Sequence, residues 1–220
     1  MPQGSAAASW VMPDLSLSSS QRFLLRLSRE VIRQELQKKK AGPSLRKGAW
    51  TPVDRTQFLN PIDADRDRIQ SEISAKRGCF VTLWIENQLR GCIGTFSAQK
   101  TVAENVEEMA RAAAFHDPRF SPLSEEELDQ VKIEISILGP LEKIDSDKQL
   151  EIGRHGIFLK HGKKGGTFLP DVAVSQHWSS EEFVRSCAFE KAGLSAEELS
   201  KAELFRYEVE KFSETGRNSP

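Results

Sequence analysis

The run CFVTLWIENQLRGCIGTF, residues 79–96, decides how this chain folds. It holds two β-rich segments, 79–86 and 89–96, parted only by Asn87-Gln88. So short a break between two such runs predicts an antiparallel hairpin. With Asn87-Gln88 as the turn, Ile85 faces Arg90 and Leu83 faces Cys92. The two-residue period of a strand then puts Cys79, Val81, Leu83, Ile85, Arg90, Cys92 and Phe96 on one face. Cys79 and Cys92 would lie about 13 Å apart along that face, out of disulfide reach. The second segment is unusual, because Gly91 and Gly94 flank Cys92-Ile93. Glycine inside a strand gives up packing and marks a bulge or a close approach. The expectation is that these glycines open a path to Cys92 and Arg90 from a neighbouring part of the molecule.

Upstream, Ser18 and Gln21 have the spacing of a capping box, and Phe23, Leu24, Leu27, Val31, Ile32 and Leu36 fall on one helical face. Lys38-Lys39-Lys40 sits at the helix C-terminus, where cations are favoured, and Gly42-Pro43 stops the helix. Residues 41–62 read as a long connection and 63–74 as a short helix or loop. Downstream, Thr101/Glu104, Ser124/Glu127 and Ser179/Glu182 repeat the box, and a last short helix starts at Ser195. VKIEISIL (131–138) alternates as a half-buried strand, GIFLKHGKKGGTFLP (156–170) reads as a second hairpin around Gly162–Gly166, and ELFRYEVEKF (203–212) reads as one terminal strand. Residues 1–17 form a loose arm, 18–212 the domain and 213–220 a tail. Strands in runs, joined by hairpins with helices between them, predict an α+β fold with mainly antiparallel sheets.

Composition narrows the functional classes. The chain has 220 residues and a formal net charge of −1, so no global field draws it to nucleic acid or an anionic membrane. No segment reaches the roughly 20 apolar residues of a membrane span. Three irregularly spaced cysteines make no disulfide framework, which fits a reduced, cytoplasmic protein. His116, His155, His161 and His177 lack metal-ligand spacing, and Gly162-Lys163-Lys164-Gly165-Gly166 lacks the phosphate-loop pattern. No metal site is expected, and the residues leave the cofactor open.

Cys92 is the sharpest chemical candidate. A neighbouring cation lowers a thiol pKa, and Arg90 lies two residues away. A nucleophilic cysteine also needs a base, for which His116 is the best local supplier and Glu134 a second if its strand adjoins the hairpin. The alternative is that Cys92 is a small core hydrophobe. In FHDPRFSPL (115–123), Arg119 could present a guanidinium to an anion, or Asp117 and Arg119 could simply lock the loop.

LRGCIGT (89–95), HDPRF (116–120), IEISIL (133–138), IGRHGI (152–157), FLPDVA (168–173) and the run from Trp178 to Leu194 occur in that order. Together they resemble the AMMECR domain family, over roughly residues 20–212. The resemblance implies a larger and a smaller lobe around a cleft, with Arg90, Gly91, Cys92, Gly94, Asp117, Arg119, Glu134 and Ser136 gathered near it. It also implies association with Memo-like and radical SAM proteins in a modification pathway. Asp171 departs from the glutamine usual in that family. The functions this leaves open are a docking component with a ligand or peptide in the cleft, a cysteine enzyme using Cys92 with Glu134 or His116, and, weakest, a nucleic-acid regulator.

Overall fold

The computed structural model describes residues 16–40, 53–58 and 65–214. Most of the expected N-terminal arm, the Gly42-Pro43 stop, much of the 41–62 connection and residues 215–220 lie outside the described residues.

Helix α1 (Ser19–Lys40) starts at the expected cap: the Ser18 N–H donates to Gln21 Oε1 and the Gln21 N–H to Ser18 Oγ, at 2.8 and 3.2 Å. Its apolar stripe is buried, with Leu27, Val31 and Ile32 fully so. Helix α2 (Arg66–Ser74) contributes Ile69 and Ile73. Helix α3 (Val102–Phe115) begins at the Thr101/Glu104 capping box and buries Val106, Ala110 and Ala113. These helices pack on one face of a four-stranded antiparallel sheet formed by β1 (Cys79–Ile85), β2 (Gln88–Thr95), β3 (Lys132–Leu138) and β8 (Val209–Ser213), in the order β2-β1-β3-β8. Helix α4 (Glu125–Leu128) leads into β3. The core side of the sheet carries Cys79, Val81, Leu83, Ile133, Ile135 and Phe212. Truncating any of its large aliphatic side chains costs about 2–5 kcal/mol.

The smaller lobe has a second four-stranded sheet, ordered β4-β7-β5-β6, from β4 (Glu142–Ile144), β5 (Gly156–His161), β6 (Lys164–Phe168) and β7 (Glu203–Tyr207). Helices α5 (Pro170–Ser175), α6 (Ser180–Ser186) and α7 (Ala196–Leu199) and a π-helical turn at Cys187–Lys191 serve its core of Ile157, Leu159, Phe168, Phe183 and Cys187. The Ser179/Glu182 and Ser195/Glu198 boxes both form.

Three expectations change. The hairpin turn is Glu86-Asn87, both with positive φ (48° and 70°), one residue earlier than expected. A register shift follows: Trp84 faces Leu89 while Leu83 faces Gly91, which leaves Arg90 as the extra residue of a bulge. Cys92 therefore faces Thr82, and its side chain lies opposite the core, away from Cys79, Val81 and Leu83. Finally, 203–212 is two strands. Glu208 breaks it, with β7 in the small sheet and β8 in the large one.

Candidate functional site

The reversed face of the large sheet brings the motif residues together in two rows. Antiparallel pairing sets Cys92, Thr82, Glu134 and Ser213 across one row, and Gly94, Phe80, Ser136 and Lys211 across the next. Trp84 continues the face, since it alternates with Leu83 along β1. Side chains two strands apart, such as Cys92 and Glu134, have backbones about 10 Å apart.

The glycines do not open a path for a ligand. A Cβ on Gly91 would sit 2.2 Å from the Ala113 carbonyl oxygen, so this position lets α3 settle on β2. A Cβ on Gly94 would meet the Phe80 ring at 2.2 Å, because that ring crosses the strand there. Both close approaches are internal.

β2 is an edge strand, and its outward backbone at Cys92 is bound by the 116–120 loop. The Cys92 N–H donates to Asp117 Oδ2 (2.9 Å), while Arg119 Nη2 donates to the Cys92 carbonyl (3.0 Å). Asp117 also accepts from the Arg119 N–H, Nε and Nη2 at 3.1, 3.0 and 2.7 Å. The Arg119 hydrogen bonds, joined by that of Cys92, hold the Asp117 carboxyl far below the usual carboxylate range against the effect of burial. Two side chains thus take the place of a neighbouring strand, which closes an edge that would otherwise be open to pairing.

Arg90, re-aimed by the bulge, forms a two-point pair with Glu127 (2.7 and 3.0 Å) beside the Phe120 ring. That pair lowers the Glu127 pKa. Glu127 also closes the expected Ser124 box, with the Ser124 N–H donating to its Oε2 at 2.8 Å. Arg90 and Arg119, the two expected anion holders, therefore both carry carboxylate partners from their own chain. His116 ends α3 as an exposed residue, and Asp117 is the loop residue that reaches Cys92.

On the sheet face the electrostatics run the other way. Burial pushes the Cys92 thiol above its ordinary value, with Asp117 and Glu134 adding to the rise. The Thr82 hydroxyl, which donates to Sγ at 3.2 Å, and Arg119 pull against it. This is opposite to the lowered thiol expected of a nucleophile. Burial likewise raises the Glu134 carboxyl, opposed by Lys211 and by a hydrogen bond with Trp84. Lys211 Nζ lies 3.9 Å from Glu134 Oε1 and 2.5 Å from Asp171 Oδ2 at the start of α5. Asp171, the position that departs from the family pattern, thus reaches this face from the small lobe. Ser136 is nearly fully buried.

Sequence reasoning missed Thr82, Trp84 and Lys211. Their signal was present, since each alternates with a core residue along its strand, but the reading hung on a register that the bulge breaks. Two cavities lie elsewhere, one of about 860 Å³ on the small lobe and one of about 610 Å³ at the lobe junction, and none of the residues expected at the cleft, from Arg90 to Ser136, lines either. Among the described residues no cluster of three or more histidine, cysteine or carboxylate side chains is placed to hold a metal, and no helix is long and apolar enough to cross a membrane.

Comparison with known proteins places this geometry. Protein NEQ441 of Nanoarchaeum equitans is 38% identical over 157 residues, covering 67% of this chain and 87% of its own length. Protein MK0488 of Methanopyrus kandleri is 38% identical over 159 residues, covering 67% and 76%. The crystal structure of the uncharacterized protein PH0010 from Pyrococcus horikoshii superposes with a TM-score of 0.72 at 29% identity, over 93% of this chain and 96% of that one. The AMMECR1 family model matches residues 25–212, a span that takes in both sheets and every residue of the face, save Ser213 at its rim. The chain belongs to the AMMECR1 family.

Proposed function

We propose that the chain is a docking component that holds a ligand or a partner segment on the sheet face carrying Trp84, Thr82, Glu134 and Lys211. One contrast supports this reading. Beside Cys92, Asp117 and Arg119 are engaged in the strand-edge clamp and Arg90 in its pair with Glu127, while Glu134 is half-buried, raised in pKa and 3.9 Å from Lys211. A carboxylate partly withdrawn from water carries a desolvation cost, which a donor from a bound partner would offset. Trp84 supplies the flat, partly exposed ring typical of binding hot spots. Memo-like and radical SAM proteins are the partner classes that the family resemblance points to.

The test is co-purification and calorimetric titration of the chain with a Memo-like protein and with a radical SAM protein. Trp84→Ala and Glu134→Ala should each weaken binding by about tenfold or more, and Cys92→Ala should leave it within about twofold. Absence of binding to either protein would overturn the docking role. Cysteine chemistry is favoured by one observation, the Thr82 hydroxyl donating to Cys92 Sγ, which would steady a thiolate. That reading gains the upper hand if Cys92→Ser abolishes the function of the assembled pathway while binding stays intact.

A further inference from the structure

Residues 139–208 form the small lobe, inserted between β3 and β8 of the large sheet. The chain leaves the large lobe through Gly139 and returns through Glu208, and these crossings lie side by side, with the Gly139 N–H donating to the Glu208 carbonyl at 2.8 Å. Elsewhere the lobes meet through side chains. Phe96 stacks on Phe158 (ring centroids 5.2 Å apart) and meets Tyr207 edge-on (5.4 Å), and Lys211 pairs with Asp171. Among the described residues no helix or strand of one lobe packs along a helix or strand of the other. Behind the two crossings lies the cavity of about 610 Å³, rimmed by exposed ion pairs such as Arg154–Glu208 and Arg206–Glu142. Exposed pairs of this kind exchange partners readily and resist movement little.

Lobes joined at two adjacent points, without a large apolar interface, move as rigid bodies about those points. We propose that the small lobe swings about Gly139 and Glu208, and that the Lys211–Asp171 pair and Phe96 hold it closed against the Ser136–Lys211 end of the sheet face. Gly139 suits a hinge, because it has the widest backbone freedom of any residue. Glu208 is the one residue between two strands that belong to different sheets.

The experiment is a spin-label distance measurement by double electron–electron resonance on the full chain. Labels go on Glu108→Cys in α3 and Lys163→Cys in the β5–β6 turn, in a Cys92→Ser background. Cys79 and Cys187 are fully buried and stay unlabelled. The parent should give one dominant distance, and Asp171→Asn and Phe96→Ala should each add a second population several ångströms away. Asp171→Asn removes no core atom, so it remains informative if Phe96→Ala fails to fold. Unchanged distributions in folded Asp171→Asn would show the lobes to be one rigid unit and overturn the proposal. The distance is read without any partner, so a protein that hinges but binds neither partner class sinks the docking role and leaves the hinge standing.

Discussion

Cys92 has two surroundings, and they are built on opposite lines. Along its backbone, the edge of β2 is closed at Cys92: Asp117 accepts from Cys92 and Arg119, and Arg119 returns a donor to the Cys92 carbonyl. Across its side chain, the sheet face is shaped by burial instead, with a raised thiol, a raised Glu134 and a lysine divided between two carboxylates. The difference teaches that the charged residues of a family motif need not share one task. The edge residues close a strand, and the face residues are the ones on which the proposed docking role rests.

The largest effect should come from breaking the edge. Asp117→Ala strands a buried N–H and unpairs Arg119, and should cost on the order of 3 kcal/mol, read by urea denaturation. Next come the two glycines. Gly91→Ala drives a methyl into the backbone of α3 and should cost about 2 kcal/mol, whereas Gly94→Ala meets a half-buried ring that can turn aside and should cost about 1 kcal/mol. A Gly94 variant that proves the more damaging would mean that the Phe80 ring is pinned.

The acid dependence sharpens the contrast because the two carboxylates carry opposite signs. Asp117 is depressed in the fold, so its contribution is present above about pH 3.9 and fades as the pH falls toward the folded value. Asp117→Asn should trail the parent at neutral pH, with the gap closing only below about pH 4. Glu134 is raised, so its contribution is complete below about pH 4.3 and lost as the pH rises through the folded value. Glu134→Gln should equal the parent in acid and exceed it at neutral pH, which thermal melts across pH 3–8 would show. The smallest effect is kinetic: Cys92 should react with iodoacetamide more slowly at neutral pH than a free thiol, with a rate that climbs only above the ordinary thiol range. Fast reaction there would move Cys92 from packing to chemistry.

Much of the fold was legible in the residues. Capping boxes at Ser18, Thr101, Ser124, Ser179 and Ser195 are local patterns, and each starts a helix where expected. The face of Cys92 was not legible. A turn at Asn87-Gln88 pairs Cys92 with Leu83; the turn at Glu86-Asn87 slides that partner to Val81 on the same face, and the bulge at Arg90 then moves it to Thr82 on the other. A one-residue slip in pairing sends every later side chain of a strand to the other face, so one unseen bulge becomes a large misreading of a site. The break at Glu208 was hidden for another reason. Alternation continues through it on both sides, and only long-range pairing assigns the halves to different sheets.

The insertion of the small lobe has a consequence for synthesis. The large sheet lacks its closing strand until residues 209–213 have been made, and Glu214 then joins Arg29 of the first helix and the Ile133 N–H. A chain emerging from the ribosome can therefore finish the small lobe while the large one still shows an open edge at β3. The first helix waits for the last strand, and the newborn protein is most exposed to mispairing in that interval.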